Sequence, residues 1–158
     1  MAGWTRVEEI LAYQRSVELR DKVLALLDAG AIPYDFHLRD QIADAARSAP
    51  ANISEGFARY KHGQFGYQVG AAQASLAELG THLDEVRNRG FLSKKLLDDL
   101  FALTTEAYRL TNGLLRHLET TDTPPPWLKV VGRTARITGD QPARDLHTEP
   151  RPSDPNDQ

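Results

Sequence analysis

Residues 47–60, RSAPANISEGFARY, gather Arg47, Ser48, Asn52, Ser54 and Glu55 within little more than two helical turns. A guanidinium, an amide, two hydroxyls and a carboxylate at that spacing can hold an anion or an amide, or trade protons as acid and base. Pro50 stands among them. It has no amide hydrogen, and its ring opposes the carbonyl of Ala46, at a cost of ~3 kcal/mol in a helix interior. Two accommodations follow: the helix kinks, or it breaks and restarts with Asn52 as N-cap and Glu55 three positions on, as in a capping box. Either way Arg47, Asn52, Ser54 and Glu55 lie beside freed backbone groups. Three uses of the cluster stay open: compensating that backbone, binding a ligand or partner, or catalysis. Gly56 lets another helix approach closely.

Other chemistries find less support. A ferritin-like metal site needs Glu-x-x-His on two helices. Here Glu78 and His82 are four apart and Glu85 is followed three later by Asn88, so this face is read as solvated and no metal is expected. With no cysteine in the chain, disulfides, thiolate catalysis and cysteine-ligated metals are excluded. No glycine-rich phosphate loop and no nucleophile motif is present, so neither a cofactor nor a catalytic residue is assigned. Gly63, Gly66, Gly70, Ala74 and Ala77 form a small-residue stripe, suited to close internal packing or to a subunit contact.

The remaining candidates are basic. In an antiparallel arrangement Arg87, Arg89, Lys94 and Lys95 meet at one end, while Arg6, Arg59, Lys61 and Arg116 meet at the other with His62 and His117. Phe57, Tyr60, Phe65 and Tyr67 interleave with the second group, a combination that can take phosphates and stack bases. The same cations also complement helix dipoles, and Glu8, Glu9, Asp98 and Asp99 dilute them.

The elements that must carry these residues are helices. Apolar residues recur at helical spacing over four segments. The first runs from Val7 to Ala29, with Ile10, Tyr13, Val17, Leu24 and Leu27 inward and Leu11, Val23 and Leu26 flanking, closed by Gly30 and Pro33. The second runs from Leu38 to Tyr60 through Ile42, Ala45, Ala49, Ile53 and Phe57, with Gly63 marking the turn. The third carries Phe65, Val69, Ala72, Leu76, Leu79, Leu83 and Val86, closed by Gly90. The fourth starts at Ser93 as N-cap and continues through Leu96, Leu100, Leu103, Ala107, Leu110 and Leu114. Short connections make this an all-α, antiparallel up-down-up-down four-helix bundle with a kinked second helix, spanning residues 1–119.

Seven of the nine prolines stand at 124, 125, 126, 142, 150, 152 and 155, so residues 120–158 are expected to be a largely disordered tail. Within it WLKVVGRTARI, residues 127–137, is either linker or a docking segment for a partner or neighbouring subunit. Over the 158 residues, 41% hydrophobic and 26% charged content fits a soluble domain, and a formal net charge of -3 argues against indiscriminate nucleic-acid binding. The opening residues lack a signal-peptide pattern and no apolar run approaches the ~20 residues of a membrane span, so a cytoplasmic, non-membrane protein is expected.

Two stretches carry a resemblance: RDQIADAARSAPANISEGFARY, and AAQASLAELGTHLDEVRNRGFL after Phe65. They are similar to the four-helix-bundle family named for proteins encoded in 23S ribosomal RNA intervening sequences, over about residues 7 to 119. That family carries R-x-Q-I, S-I-P-A-N-I-x-E-G-F-x-R, G-S-x-x-E-L and G-Y/F-L. This chain departs from it with Ala49 in place of isoleucine, Gln73-Ala74-Ser75 in place of Gly-Ser, and a tail without counterpart. The resemblance implies a ring-like homo-oligomer, commonly a pentamer, with no enzymatic activity assigned. The related accessory proteins of diversity-generating retroelements form pentameric barrels that bind nucleic acid and a reverse transcriptase through a basic surface. By position the resemblance singles out Arg39, Gln41, Ser48, Pro50, Asn52, Glu55, Gly56 and Arg59, beside the neighbouring Arg47, and gives none a chemical task.

Overall fold

The computed structural model describes residues 4–32, 35–59 and 62–120, with His62 described for its backbone only. A single 3-10 turn at Val7–Glu9 precedes four α-helices: α1 (Leu11–Asp28), α2 (Phe36–Ala58), α3 (His62–Arg89) and α4 (Lys94–Thr120). Each helix packs on the two flanking it, and the diagonal pairs α1/α3 and α2/α4 stay apart. This is the expected up-down-up-down bundle. Among the described residues, no helix is long and apolar enough to cross a membrane.

Local chemistry sets the boundaries. Ile10 has extended backbone between the 3-10 turn and α1, so the first helix begins four residues later than its periodicity suggests. Gly30 and Gly90 take φ of +72° and +68°. The Gly30 amide donates to Leu27 and the Ala31 amide to Leu26; Gly90 and Phe91 repeat this with Arg87 and Val86. Both are Schellman closures, which need a residue tolerant of left-handed backbone. Asp35 caps α2, its carboxylate accepting from the Leu38 amide at 2.9 Å. Ser93 caps α4, accepting from the Leu96 amide at 3.4 Å. Gly63 does not mark a turn, because it lies inside α3.

Pro50 sits in a helix that continues to Ala58. The break-and-restart alternative, with Asn52 as a new N-cap, is therefore not realised. Tyr60 and Lys61, expected at the basic end, and residues 121–158, expected to be a disordered tail with a linker or docking segment at 127–137, lie outside the described residues. Thr120, assigned to the tail by sequence, is the last residue of α4.

The core has two parts. One surrounds Leu27, Leu38, Leu83, Val86 and Leu97, and the other Ile10, Ile53, Phe65, Val69 and Leu118. On α3 all seven residues from Phe65 to Val86 that share the periodic face are buried. On α1 the buried face is Ala12, Ser16, Leu19, Val23 and Leu27, while Leu11 is 59% exposed. Sequence periodicity followed the bulkier Tyr13, Val17 and Leu24, which are half-buried. Three buried hydroxyls satisfy themselves one turn back: Ser16 on the Ala12 carbonyl at 2.8 Å, Thr104 on Leu100 and Thr111 on Ala107, each at 2.7 Å. Bonded this way, they enter the core without an unpaired polar group.

Candidate functional site

The cluster around Pro50 resolves into a polar ladder between α2 and α3. The Asn52 side-chain amide donates to the Ser48 carbonyl and to Ser48 Oγ, both at 2.9 Å. Ser75 Oγ on α3 donates to Ser48 Oγ at 2.9 Å, with the Ala71 carbonyl a second acceptor at 3.1 Å. Pro50 is buried beside this ladder. One turn on, a Cβ added to Gly56 would stand 2.7 Å from Phe65 Cδ2 and 2.8 Å from Gln68 Cβ, so α3 closes on the α2 backbone there. Arg39 donates to the Leu27 carbonyl at 2.9 Å and thereby ties the start of α2 to the end of α1. Gln41 is half-buried on the same helix.

The charged members of the cluster point elsewhere. Arg47 is exposed, 3.9 Å from Asp44, and Glu55 pairs with Arg59 one turn along the helix. The structure does not assemble Arg47, Asn52 and Glu55 around a common point: each has its own neighbour on α2. On α3, His82 Nε2 is buried with no hydrogen-bond partner among the described residues and lies 3.7 Å from Glu78, so this face is less solvated than its sequence suggests. Among the described residues, no group of three or more His, Cys, Asp or Glu is placed to hold a metal.

The end of the bundle carrying Arg87, Arg89, Lys94 and Lys95 forms as expected, but its charge is spent. Arg87 pairs with Asp84 and lies over the Phe101 ring. Arg89 reaches Asp35 at 2.5 Å and Glu85 at 2.6 Å. Lys94 meets Asp98 at 2.6 Å, and Lys95 meets Asp99 at 3.1 Å. Exposed pairs of this kind add little stability, yet they cancel the local field that would draw a polyanion. Asp35 carries two duties here: the Leu38 amide, then the Arg89 guanidinium, hold its carboxyl below the usual aspartate range.

At the opposite end the balance differs. Arg6 pairs with Glu8 and Arg59 with Glu55, whereas Arg116 has no carboxylate partner among the described residues. Two turns back on α4, Arg109 also has no carboxylate partner among the described residues; Glu106, three residues before it, is held by Arg15 of α1 at 3.0 Å. Both arginines line a groove of about 610 Å³ between the start of α1 and the last turns of α4. Ile10, Leu11, Leu110 and Leu114 supply its apolar walls. Trp4 closes one side, edge-on to the His117 ring at 5.3 Å. Sequence reasoning had Arg116 but missed Trp4 and Arg109. The available signal was their spacing: Arg109 and Arg116, seven apart, share a helix face.

The comparisons with known proteins turn on the same helices. The sequence model of the 23S rRNA-intervening sequence protein family matches residues 8–113, which contain the ladder and most of the groove. The chain belongs to that family. Among solved structures it is similar to a protein of unknown function from the S23 ribosomal protein family of Bacteroides thetaiotaomicron VPI-5482. The TM-score is 0.63 at 17% identity, over 66% of this chain and 98% of the other. At that identity the likeness is one of fold. No protein of curated function matches the chain. Within the family frame, Ser48, Asn52 and Gly56 are explained by how α2 and α3 meet.

Proposed function

We propose that the protein is a non-enzymatic, homo-oligomeric helical scaffold, a pentameric ring in the cytoplasm. It serves as an accessory subunit to nucleic acid or a ribonucleoprotein, such as a retroelement reverse transcriptase with its RNA. The observation that supports this reading is the groove between α1 and α4. Arg109 and Arg116 have no carboxylate partner among the described residues and stand beside Trp4 and His117 over an apolar floor. Guanidinium groups suit phosphate oxygens, and an indole offers a face on which a base stacks. A closed ring would repeat the groove around its axis and turn a weak contact into an avid one.

A second reading, a protein–protein scaffold without a nucleic-acid role, is favoured by a different observation. The cations at the other pole, Arg87, Arg89, Lys94 and Lys95, are all matched by carboxylates. The deciding experiment is the absolute mass by light scattering, with and without a mixed RNA and DNA pool, at low and moderate salt. A pentamer that gains nucleic acid at low salt is the expected result. A pentamer that ignores nucleic acid favours the second reading, and a monomer contradicts the assembly.

A further inference from the structure

The groove between α1 and α4 has walls of opposite charge. Arg109 and Arg116 stand on the α4 side, and Glu9, from the 3-10 turn that leads into α1, stands on the other. The Glu9 carboxylate is fixed in place: the Thr5 amide donates to Oε2 and the Thr5 hydroxyl to Oε1, each at 2.8 Å. The amide first, then the hydroxyl, hold its carboxyl below the usual glutamate range, so it carries a full charge near neutral pH. Neither arginine takes that charge, since both lack a carboxylate partner among the described residues. Each carboxylate oxygen keeps a second lone pair with which to accept from a ligand. Between the walls lies the apolar floor, with Trp4 at one side.

Resting on the nucleic-acid reading above, we propose that Glu9 makes this groove selective for unpaired bases with an exocyclic amino group, such as cytosine, over uracil. Phosphate contacts position a strand and carry no sequence information, and the two guanidinium groups supply those. A fixed anion on the facing wall repels phosphate. The sugar–phosphate backbone therefore lies along α4 and the base edge turns toward α1. At that edge cytosine offers its N4 amino group as a donor, where uracil, like thymine, has the O4 carbonyl oxygen. A carboxylate accepts from the first and repels the second. The two rings are alike in size, so stacking on Trp4 does not separate them. The strand must be single, because in a duplex the base faces are stacked on each other and reach neither the indole nor the apolar floor. The volume of about 610 Å³ agrees, since it lies in the range of roughly 300–1,000 Å³ typical of pockets for small ligands.

The chain has two tryptophans, so in full-length Trp127→Phe the indole of Trp4 reports alone. Oligo(C) is expected to quench its fluorescence and to bind about tenfold more tightly than oligo(U) of equal length at the same salt, the low end for a hydrogen bond to a charged group. Annealing the oligo(C) to its complement is expected to abolish the quenching. Adding Glu9→Gln is expected to bring the two affinities together, mainly by tightening oligo(U), because an amide offers both a donor and an acceptor. Were Glu9 only a brace for the N-terminal turn, both affinities would fall and their ratio would persist; that result overturns the proposal. Salt-sensitive binding that is equal for oligo(C) and oligo(U), or equal for single strand and duplex, also overturns it and leaves the nucleic-acid reading standing. No salt-sensitive binding to any of these probes would overturn both.

Discussion

Gly56 of α2 faces Phe65 of α3 so closely that a Cβ on the glycine would stand 2.7 Å from the ring. Helix propensity alone favours alanine over glycine by ~1 kcal/mol. Overpacking costs typically about 1–3 kcal/mol, and with Gln68 Cβ, also on α3, only 2.8 Å away, moving the ring alone does not relieve the clash. Gly56→Ala is therefore expected to destabilise the bundle in urea unfolding. Gly70 on α3 is the control: an added Cβ meets nothing within 4 Å, and Gly70→Ala is expected to stabilise by about 0.4–1 kcal/mol. Equal signs for the two substitutions would contradict the close approach at Gly56.

The Ser48–Ser75 bond joins α2 to α3 in the middle of the bundle. A double-mutant cycle of Ser48→Ala and Ser75→Ala is expected to give a coupling of about 0.5–1.5 kcal/mol, the worth of one intramolecular hydrogen bond. A coupling near zero would mean that each serine serves only its own helix.

Asp35 ties the first turn of α2 to Arg89 of α3, and its carboxyl is held below the ordinary aspartate value by the Leu38 amide and then by Arg89. A group whose folded value is lowered adds stability above its unfolded value, ~3.9 for aspartate, and loses it as pH falls through the folded value. Wild type is expected to exceed Asp35→Asn in urea midpoint near neutral pH, and the gap to close as pH drops below that range. A gap independent of pH would contradict the charged cap.

Much of this architecture is legible in the sequence where bulky apolar residues keep strict spacing. The face of α3 from Phe65 to Val86 is read correctly for that reason. The face of α1 is read correctly at Ile10 and Leu27 but one residue out at Tyr13, Val17 and Leu24, because Ala12 and Ser16 on the buried face carry little hydrophobic signal. The polar cluster at Pro50 is visible as a cluster, but its meaning depends on Ser75, which lies 27 residues away on α3. The basic ends show the same limit. Lys94 and Lys95 find their acids four residues on, within reach of sequence reasoning. Glu106, three residues before Arg109, is taken by Arg15, 91 residues away, and Arg109 has no carboxylate partner among the described residues. Local spacing cannot reveal which of two arginines wins.

The most direct test of the groove as the site of partner binding is the salt dependence of nucleic-acid affinity in purified full-length protein. Log affinity should fall linearly with log salt. Arg109→Ala with Arg116→Ala should flatten that slope by about 1.4, at ~0.7 for each phosphate contact to a single strand. Lys94→Ala with Lys95→Ala, whose cations are already paired with Asp98 and Asp99, should leave the slope unchanged. A slope that responds to the lysines and ignores the arginines, or the absence of salt-sensitive binding, would contradict the assignment.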